Sequence, residues 1–355
     1  MRGGRIKGQG TYGCVFQPAL ECRGKEKGKV NPGMVGKITS KSDAKNELDI
    51  ARHLNKIPNV EKYVITVQGE PCVPRAKSRQ TDKDVDQCKT SEKVPLETMV
   101  QLSMPWGGYP INHINLDPHV FDFIHFTREL LAIGSFILLN DVCHFDLSAL
   151  NMLFDNKLNP RLIDFGFSFR PSKLTIEEVG SRWREIEFSH DTETPEVTLI
   201  IMTHDNFPIE HIIHGLQKEK PAVLRLASMC DVSPTEWSAE LRQWAMESQS
   251  FQRHDWLQCW KLYWPGFDAW SIGAILLHIL EIQMSIPGFK EMPSWKAHGP
   301  LVKSILKGLC RGHPAYRIDA AEALSLLTGG AHPLISSGSP GNDWIQTKKA
   351  RRPHA

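Results

Sequence analysis

Two short segments near the middle of the chain carry acid and amide side chains at spacings that suit a hard metal cation. Residues 144–154 read HFDLSALNMLF and residues 162–168 read LIDFGFS. Asp146 and Asn151 fall on a predicted loop after an apolar helix, and Asp164 follows a strand-like run. Each Asp taken singly reads as a turn or cap residue. Together, the three oxygen-bearing side chains are typical Mg²⁺ ligands, with one carboxylate left to receive a hydroxyl proton.

Near the N-terminus, Gly8, Gly10 and Gly13 form a GxGxxG pattern that continues into Cys14 and Val15. The pattern by itself is also compatible with an ordinary turn. A dinucleotide-binding version would need a helix to start at the loop, whereas CVFQP reads as a strand. Two strands joined by a glycine loop, with Tyr12 at its tip, can lay backbone N–H groups over phosphates.

A lysine and a glutamate follow the glycine pattern. Lys37 lies among apolar residues in the strand-like MVGKIT, and Glu47 lies in the helical pattern that comes next. An inward-facing lysine beside phosphates would need a carboxylate partner, because an unpaired buried ammonium is costly. We expect Glu47 to be that partner, although Glu47 taken singly reads as a solvated helix residue.

The elements that must position these residues divide into two groups. Strand patterns cover residues 5–39 and 97–105, with a helix over 43–55 whose apolar side carries Leu48, Ala51 and Leu54, and a polar loop over 70–93. After that, helical patterns dominate, over residues 118–140, several pieces of 205–264, 268–283 and 300–327. The pattern predicts an α+β chain with two segregated lobes, residues 1–105 and residues 106–330. We expect residues 331–355 to form a loose basic tail.

Composition excludes several classes of protein. The 355 residues are 41% hydrophobic and 23% charged with a net charge of +2, so we expect a folded core and no partner of nucleic acid or membrane type. The eight cysteines have no CxxC pair and suit neither a zinc site nor a disulfide scaffold. A reducing compartment, and hence a cytoplasmic location, is the expectation. The N-terminus carries no apolar signal segment.

Taken together, these residues resemble the eukaryotic-type serine/threonine protein kinases, over about residues 6–327. The order matches: glycine loop, strand lysine, helix glutamate, catalytic loop and DFG. Thr194-Pro195-Glu196 stands in the place of the APE motif, and residues 268–273, DAWSIG, resemble the motif that braces the catalytic loop. Arg317 resembles the late arginine that pairs with the APE glutamate, here Glu196.

The resemblance implies a bilobal fold, with a small β-rich N-lobe and a large helical C-lobe, and an ATP- and Mg²⁺-dependent transfer of phosphate to a protein substrate. Gly8, Gly10 and Gly13 would cover the phosphates, Lys37 would hold them and pair with Glu47, Asp146 would take the substrate proton, and Asn151 and Asp164 would hold Mg²⁺. Adenine would lie between Val15, Gly36, Leu102 and Leu153, beside a hinge over residues 103–106 that includes Met104.

Several departures from the family pattern leave alternatives open. Phe145 replaces an arginine that usually receives an activation-loop phosphate, so we expect activity without that phosphorylation. Ser148 replaces a lysine that contacts the transferred phosphate, which leaves a non-catalytic scaffold as the alternative function. Ser189 favours serine or threonine as the acceptor. Residues 197–265 form a tryptophan-rich insert that either packs on the large lobe or docks a protein partner. These departures resemble the divergent kinases of large DNA viruses, for which host cytoplasm or the virion would be the location.

Overall fold

A computed structural model describes residues 5–10, 13–24, 31, 33–80, 83–90 and 94–351. The described chain forms two compact units. The first contains the residues up to Gly108 together with Arg161–Ser168, and the second contains Tyr109–Pro160 and the residues from Phe169 onward. The Asp164 segment therefore belongs to the first unit, which sequence boundaries drawn at a single position do not show.

The first unit is built on a four-stranded antiparallel sheet, in which the strands follow one another in chain order. One face buries Cys14, Phe16 and Ile38, and it packs against Val85 and Met99 from outside the sheet. Alternation of such apolar residues with residues of the other face is what favours strands here. The strands predicted within 5–39 and 97–105 are confirmed as β1 (Arg5–Gly10), β2 (Gly13–Gln17), β3 (Met34–Thr39) and β4 (Val100–Pro105).

The predicted helix after β3 is confirmed as α1 (Lys41–Leu54). It begins two residues before the predicted start because Ser40 caps it, accepting a hydrogen bond from the Asp43 amide at 3.1 Å. The buried side carries Glu47 and Ile50, while Leu48 is only half-buried. The helix is thus rotated slightly from the apolar side expected, which turns Glu47 inward.

The second unit is mainly helical, with a short β5–β6 pair in antiparallel register. The strands are β5 (Tyr109–Pro110), β6 (Met152–Phe154) and β7 (Pro160–Leu162), and the boundary between the units falls within β7. The helices are α2 (Phe123–Leu139), α3 (Ile176–Gly180), α4 (Pro195–His204), α5 (Ile209–Glu219), α6 (Pro221–Cys230), α7 (Pro234–Glu247), α8 (Gln249–Gln252), α9 (Trp256–Tyr263), α10 (Pro265–Ser285), α11 (Pro293–Leu309), α12 (Ala320–Thr328) and α13 (Pro340–Arg351). The chain is therefore α+β, with small antiparallel sheets and a mostly helical large part.

Two helices of the second unit refine the expectations. The single helical pattern predicted over residues 300–327 is two helices, because α11 ends at Leu309 and α12 starts at Ala320 behind the Asp319 cap. Among the described residues, α10 is the one helix long and apolar enough to cross a membrane, and 78% of its apolar window is buried inside the protein.

The expected loose tail is wrong over residues 340–351. Residues 340–351 form α13, in which Ile345 is buried. The Trp344 Nε1 atom donates to Asp319 Oδ2 at 2.8 Å, and Lys348 Nζ lies 2.9 Å from Asp319 Oδ2 and 2.7 Å from Glu322 Oε2. These polar contacts hold the helix in place. They require no regular spacing of apolar residues, which is the signal that predicts a helix from sequence. Residues 352–355 of the predicted tail lie outside the described residues.

The cysteine spacing, which the sequence analysis takes as unsuited to a disulfide scaffold, did not reveal two disulfides. Disulfides join Cys14 to Cys88 and Cys22 to Cys72, all in the first unit, at sequence separations of 74 and 50. Cysteines this far apart in the sequence cannot be recognised as partners before the fold is known. Disulfides persist mainly in oxidising environments, so the structure does not support the reducing compartment from which a cytoplasmic location was expected. The remaining four cysteines are buried thiols: Cys143, Cys230, Cys259 and Cys310.

Candidate active site

A row of predicted site residues crosses one face of the first unit's sheet. Gly8 lies opposite Val15, Val15 opposite Lys37, and Lys37 opposite Leu102. Directly paired residues of antiparallel strands share a face, so Val15 and Leu102 flank Lys37. Met104, two positions beyond Leu102 in β4, lies on the same face.

Gly36 does not belong to this row, which corrects its predicted place beside the adenine. Gly36 lies on the opposite face, where an added Cβ would collide with the side chain of Gln101. Val35, two residues before Lys37, is 4% exposed and occupies the position on the lysine's face. The two-residue alternation of a strand is the signal that would have selected Val35.

The glycine pattern forms a β-hairpin, in agreement with the predicted strand after the loop. Gly10 pairs with Gly13 at its closed end, and residues 11–12, including Tyr12, lie outside the described residues. Gly13 is required by packing, because a Cβ there would collide with the carbonyl oxygen of Ile38. A Cβ at Gly8 would meet no atom within 4 Å, so the chain is open at that position.

Lys37 is held between two carboxylates. Its Nζ atom lies 2.8 Å from Glu47 Oε2 and 2.7 Å from Asp164 Oδ1. The Lys37 and Glu47 side chains are 11% and 5% exposed, so neither charge is well solvated. Burial lowers the pKa of Lys37, but the two carboxylates raise it, and the net direction is upward. The predicted Lys37–Glu47 pair is present, with Asp164 as a second partner.

Asn46 fixes the segment that carries Asp164, a role that the sequence did not reveal. Asp164 has the left-handed φ of 66°, which non-glycine residues adopt rarely. The Asn46 amide nitrogen donates to the carbonyl oxygens of Gly166 and Ser168 at 2.7 and 2.8 Å. One residue of α1 thereby holds the backbone after Asp164, and its neighbour Glu47 holds Lys37.

In the second unit, Asp146 and Asn151 lie together. The Asn151 Nδ2 atom donates to the Asp146 carbonyl oxygen at 2.8 Å and to Asp146 Oδ2 at 3.2 Å. Because the nitrogen makes both bonds, the amide oxygen of Asn151 is the atom suited to a cation. Leu153 follows in β6, opposite Pro110.

Asp268 braces the backbone just before Asp146. Its two carboxylate oxygens accept hydrogen bonds from the amides of His144 at 2.6 Å and Phe145 at 2.9 Å. Phe145 has a left-handed φ of 65°, and such conformations cost on the order of 1–3 kcal/mol unless the surroundings enforce them. Burial raises the pKa of Asp268 despite these bonds.

The departure at Phe145 coincides with the tryptophan-rich insert. The Phe145 ring lies 4.7 Å from that of Trp260, 5.7 Å from Phe169 and 5.9 Å from Phe267. Trp237, Trp244, Trp256 and Trp260 are at most 8% exposed. These four insert tryptophans therefore pack inside the second unit, as in the first of the two readings of the insert.

Arg184 is a further residue at Asp146 that the sequence did not indicate. Its Nη1 atom lies 3.5 Å from Asp146 Oδ1, and its Nε atom donates to Glu193 Oε2 at 3.0 Å. The guanidinium also lies 5.5 Å from the Phe145 ring centre. Burial lowers the pKa of Arg184, the neighbouring carboxylates raise it, and the net direction is upward.

The pair predicted between Glu196 and Arg317 is present and fully buried. Arg317 donates to the two carboxylate oxygens of Glu196 at 2.6 and 3.0 Å, in the bidentate geometry favoured by guanidinium. This pair anchors the start of α4 from a residue just before α12.

Each unit thus assembles part of the predicted set: Lys37, Glu47 and Asp164 in the first, Asp146 and Asn151 in the second. Within the described ranges, no group of three or more His, Cys, Asp or Glu side chains could hold a metal ion. The carboxylate of Asp164 and the amide oxygen of Asn151 are nevertheless the hard donors that Mg²⁺ prefers. Comparison with protein-family models and with the curated proteins finds no match.

Proposed function

We propose that the protein is an ATP- and Mg²⁺-dependent protein kinase with the two-lobed kinase fold, acting on serine or threonine hydroxyls. The observation that carries the proposal is the pairing of Lys37 with both Glu47 and Asp164, at 2.8 and 2.7 Å. A buried lysine with two carboxylates is costly as a stability device. Next to a glycine hairpin, it suits the binding of a triphosphate with its metal.

The reaction assigns a chemical task to Asp146. The substrate hydroxyl oxygen bonds to the γ-phosphorus, and its proton passes to the Asp146 carboxylate. The bond from that phosphorus to the β–γ bridging oxygen breaks, and its electron pair leaves with ADP. Positioned proton transfer of this kind contributes about 10²–10⁴-fold, and most of the remaining acceleration comes from positioning and charge neutralisation.

The nucleotide would be held mainly by the first unit. Asp164 and Asn151 would hold Mg²⁺, which supplies positive charge on the phosphates. Lys37 would neutralise the α- and β-phosphates while Glu47 orients it. The remaining residues proposed to bind ATP are Gly8, Gly10, Gly13, Val15, Val35, Leu102, Met104 and Leu153.

Two features favour a protein substrate over a small molecule. Asp268 and the Glu196–Arg317 pair stabilise the chain on both sides of residues 169–195, the segment that presents protein substrates in this class. Ser189, close to Thr194 at the start of α4, stands where an acceptor-site threonine is expected, which favours serine or threonine.

Transfer of radiolabelled γ-phosphate from ATP to casein tests the proposal. We expect Asp146→Asn to lower the rate at least about 100-fold, and Asp117→Asn to leave it within about twofold. Asp117 is a matched control, since its Oδ1 accepts a turn hydrogen bond from His119 N at 2.8 Å that asparagine can also accept. Equal transfer by the wild type and Asp146→Asn would favour the non-catalytic scaffold.

Nucleotide binding has its own measurement. A ligand at a hundredfold excess over its Kd stabilises the folded state by about 2.7 kcal/mol, so ATP with Mg²⁺ should raise the melting temperature. Lys37→Met should abolish that rise, while Lys45→Met, an exposed lysine of α1, should preserve it. A rise that persists in Lys37→Met would contradict the nucleotide site.

A further inference from the structure

Ser148 lacks the positive charge that a lysine at this position, close to Asp146 in the sequence, would carry. In the proposed kinase, a cation near the catalytic carboxylate would hold it aimed at the acceptor hydroxyl, and a serine hydroxyl carries no charge. Arg184 lies 38 positions further along the chain, yet its Nη1 atom is 3.5 Å from Asp146 Oδ1. Both side chains are partly exposed, Arg184 by 24% and Asp146 by 34%, so a substrate can reach the carboxylate.

Three contacts restrict where the guanidinium can lie. Glu193, with a side chain only 2% exposed, accepts hydrogen bonds from Arg184 Nε at 3.0 Å and from its Nη2 atom. The Phe145 ring lies 5.5 Å from the guanidinium carbon, within the range of a cation–π interaction. The third contact is the one with Asp146. Since Glu193 and Phe145 are themselves buried, the guanidinium is held before any substrate binds.

We propose, on the basis of the proposed kinase function, that Arg184 supplies beside Asp146 the positive charge that Ser148 cannot supply, and that it is the positioning residue of the Asp146 carboxylate. Glu193 and Phe145 hold its guanidinium, and Arg184 in turn holds the Asp146 carboxylate. The same arrangement explains why phenylalanine suits position 145, because its ring contacts both the Arg184 guanidinium and the ring of Trp260.

Steady-state kinetics of the full chain test this assignment, with casein as acceptor. Arg184→Gln should lower kcat about 100-fold and leave KM for ATP within about twofold, because the nucleotide contacts belong to Lys37 and Asp164. Arg184→Lys should keep an intermediate kcat, since it retains the charge but not the forked geometry. Ser148→Lys in the Arg184→Gln background should restore kcat at least about tenfold.

Arg75→Gln is the matched control. Arg75 has a similarly exposed side chain, 22%, and pairs with a carboxylate, Glu21, at 2.9 Å, but neither residue belongs to the proposed site. We expect its kcat to stay within about twofold of the wild type.

The outcomes separate this inference from the function on which it rests. If the wild type is active, Asp146→Asn is inactive and Arg184→Gln keeps its kcat, the role of Arg184 is refuted and the kinase stands. The role is also refuted if kcat falls in Arg184→Gln but Ser148→Lys restores none of it, because the loss is then structural. A wild type no more active than Asp146→Asn overturns both.

Discussion

At the scale of single residues, several charged side chains of the second unit are each paired with a side chain of opposite charge. Glu193 pairs with Arg184, Glu196 with Arg317, and Arg225 lies 2.6 Å from Asp191. Lys220 lies in the same region, with its side chain fully buried. These groups surround the start of α4, where a platform for a protein substrate is proposed. Their ionisation therefore matters to the stability of that platform.

Lys220 gives this region a distinct dependence on pH. Its Nζ atom donates to the carbonyl oxygen of His190 at 2.7 Å. Burial lowers its pKa to about 8, although Glu193, Asp191 and Glu196 act in the opposite direction. Between pH 8 and 10.5, the unfolded chain therefore binds a proton that the folded protein has released. The contribution of Lys220 to stability rises with pH across this window and is lowest below pH 8.

Urea unfolding at several pH values measures this contribution. From pH 8 to pH 10, the wild type should gain on the order of 2 kcal/mol in free energy of unfolding relative to Lys220→Met. Lys218→Met, at an exposed position in α5, should show no such trend against the wild type. If the difference in free energy of unfolding between the wild type and Lys220→Met does not change with pH, the pKa of Lys220 is not lowered in the folded protein.

At the scale of elements, Lys348 supplies the ion pairs between α13 and the start of α12. Lys348 Nζ meets Asp319, which is fully buried, and Glu322, whose side chain is 5% exposed. These two acids also form the capping box that starts α12. Lys348→Met would leave both carboxylates without this cation, so we expect a loss of about 2 kcal/mol, below the full cost of a broken buried pair because Lys348 is 19% exposed.

Lys349→Met is the control for α13, because Lys349 is the next residue along the helix and is exposed. Its free energy of unfolding should change by less than about 0.5 kcal/mol. Equal losses in the two variants, measured by urea unfolding, would mean that helix propensity and not the Asp319 contact stabilises α13.

The elements also show where the sequence was informative. The strands around Lys37 and helix α1 could be predicted, because alternation and helical spacing of apolar residues are local signals. Helix α13 could not, since polar contacts with residues far back in the chain hold it. The same limit applies within the site: Lys37 and Glu47 are joined by neighbouring elements, whereas Arg184 reaches Asp146 across 38 positions. Cys14 and Cys88 pair across 74.

At the scale of the whole molecule, the two units differ in their covalent links. Both disulfides lie in the first unit, and the four thiols lie in the second. Closing a loop of the Cys14–Cys88 size removes chain entropy from the unfolded state worth about 4 kcal/mol. A reductant should therefore destabilise the first unit and leave the second nearly unchanged, so the two units should unfold in separate steps.

Tryptophan fluorescence can separate these steps. Trp106 is the single tryptophan of the first unit, and the rest of the chain's ten lie in the second. In urea with dithiothreitol, far-UV circular dichroism should therefore show an early transition that fluorescence barely follows. The variant Cys14→Ser/Cys88→Ser should show an early transition without reductant, while Cys230→Ser should not. If reductant shifts both signals equally or neither of them, the disulfides do not stabilise the first unit selectively.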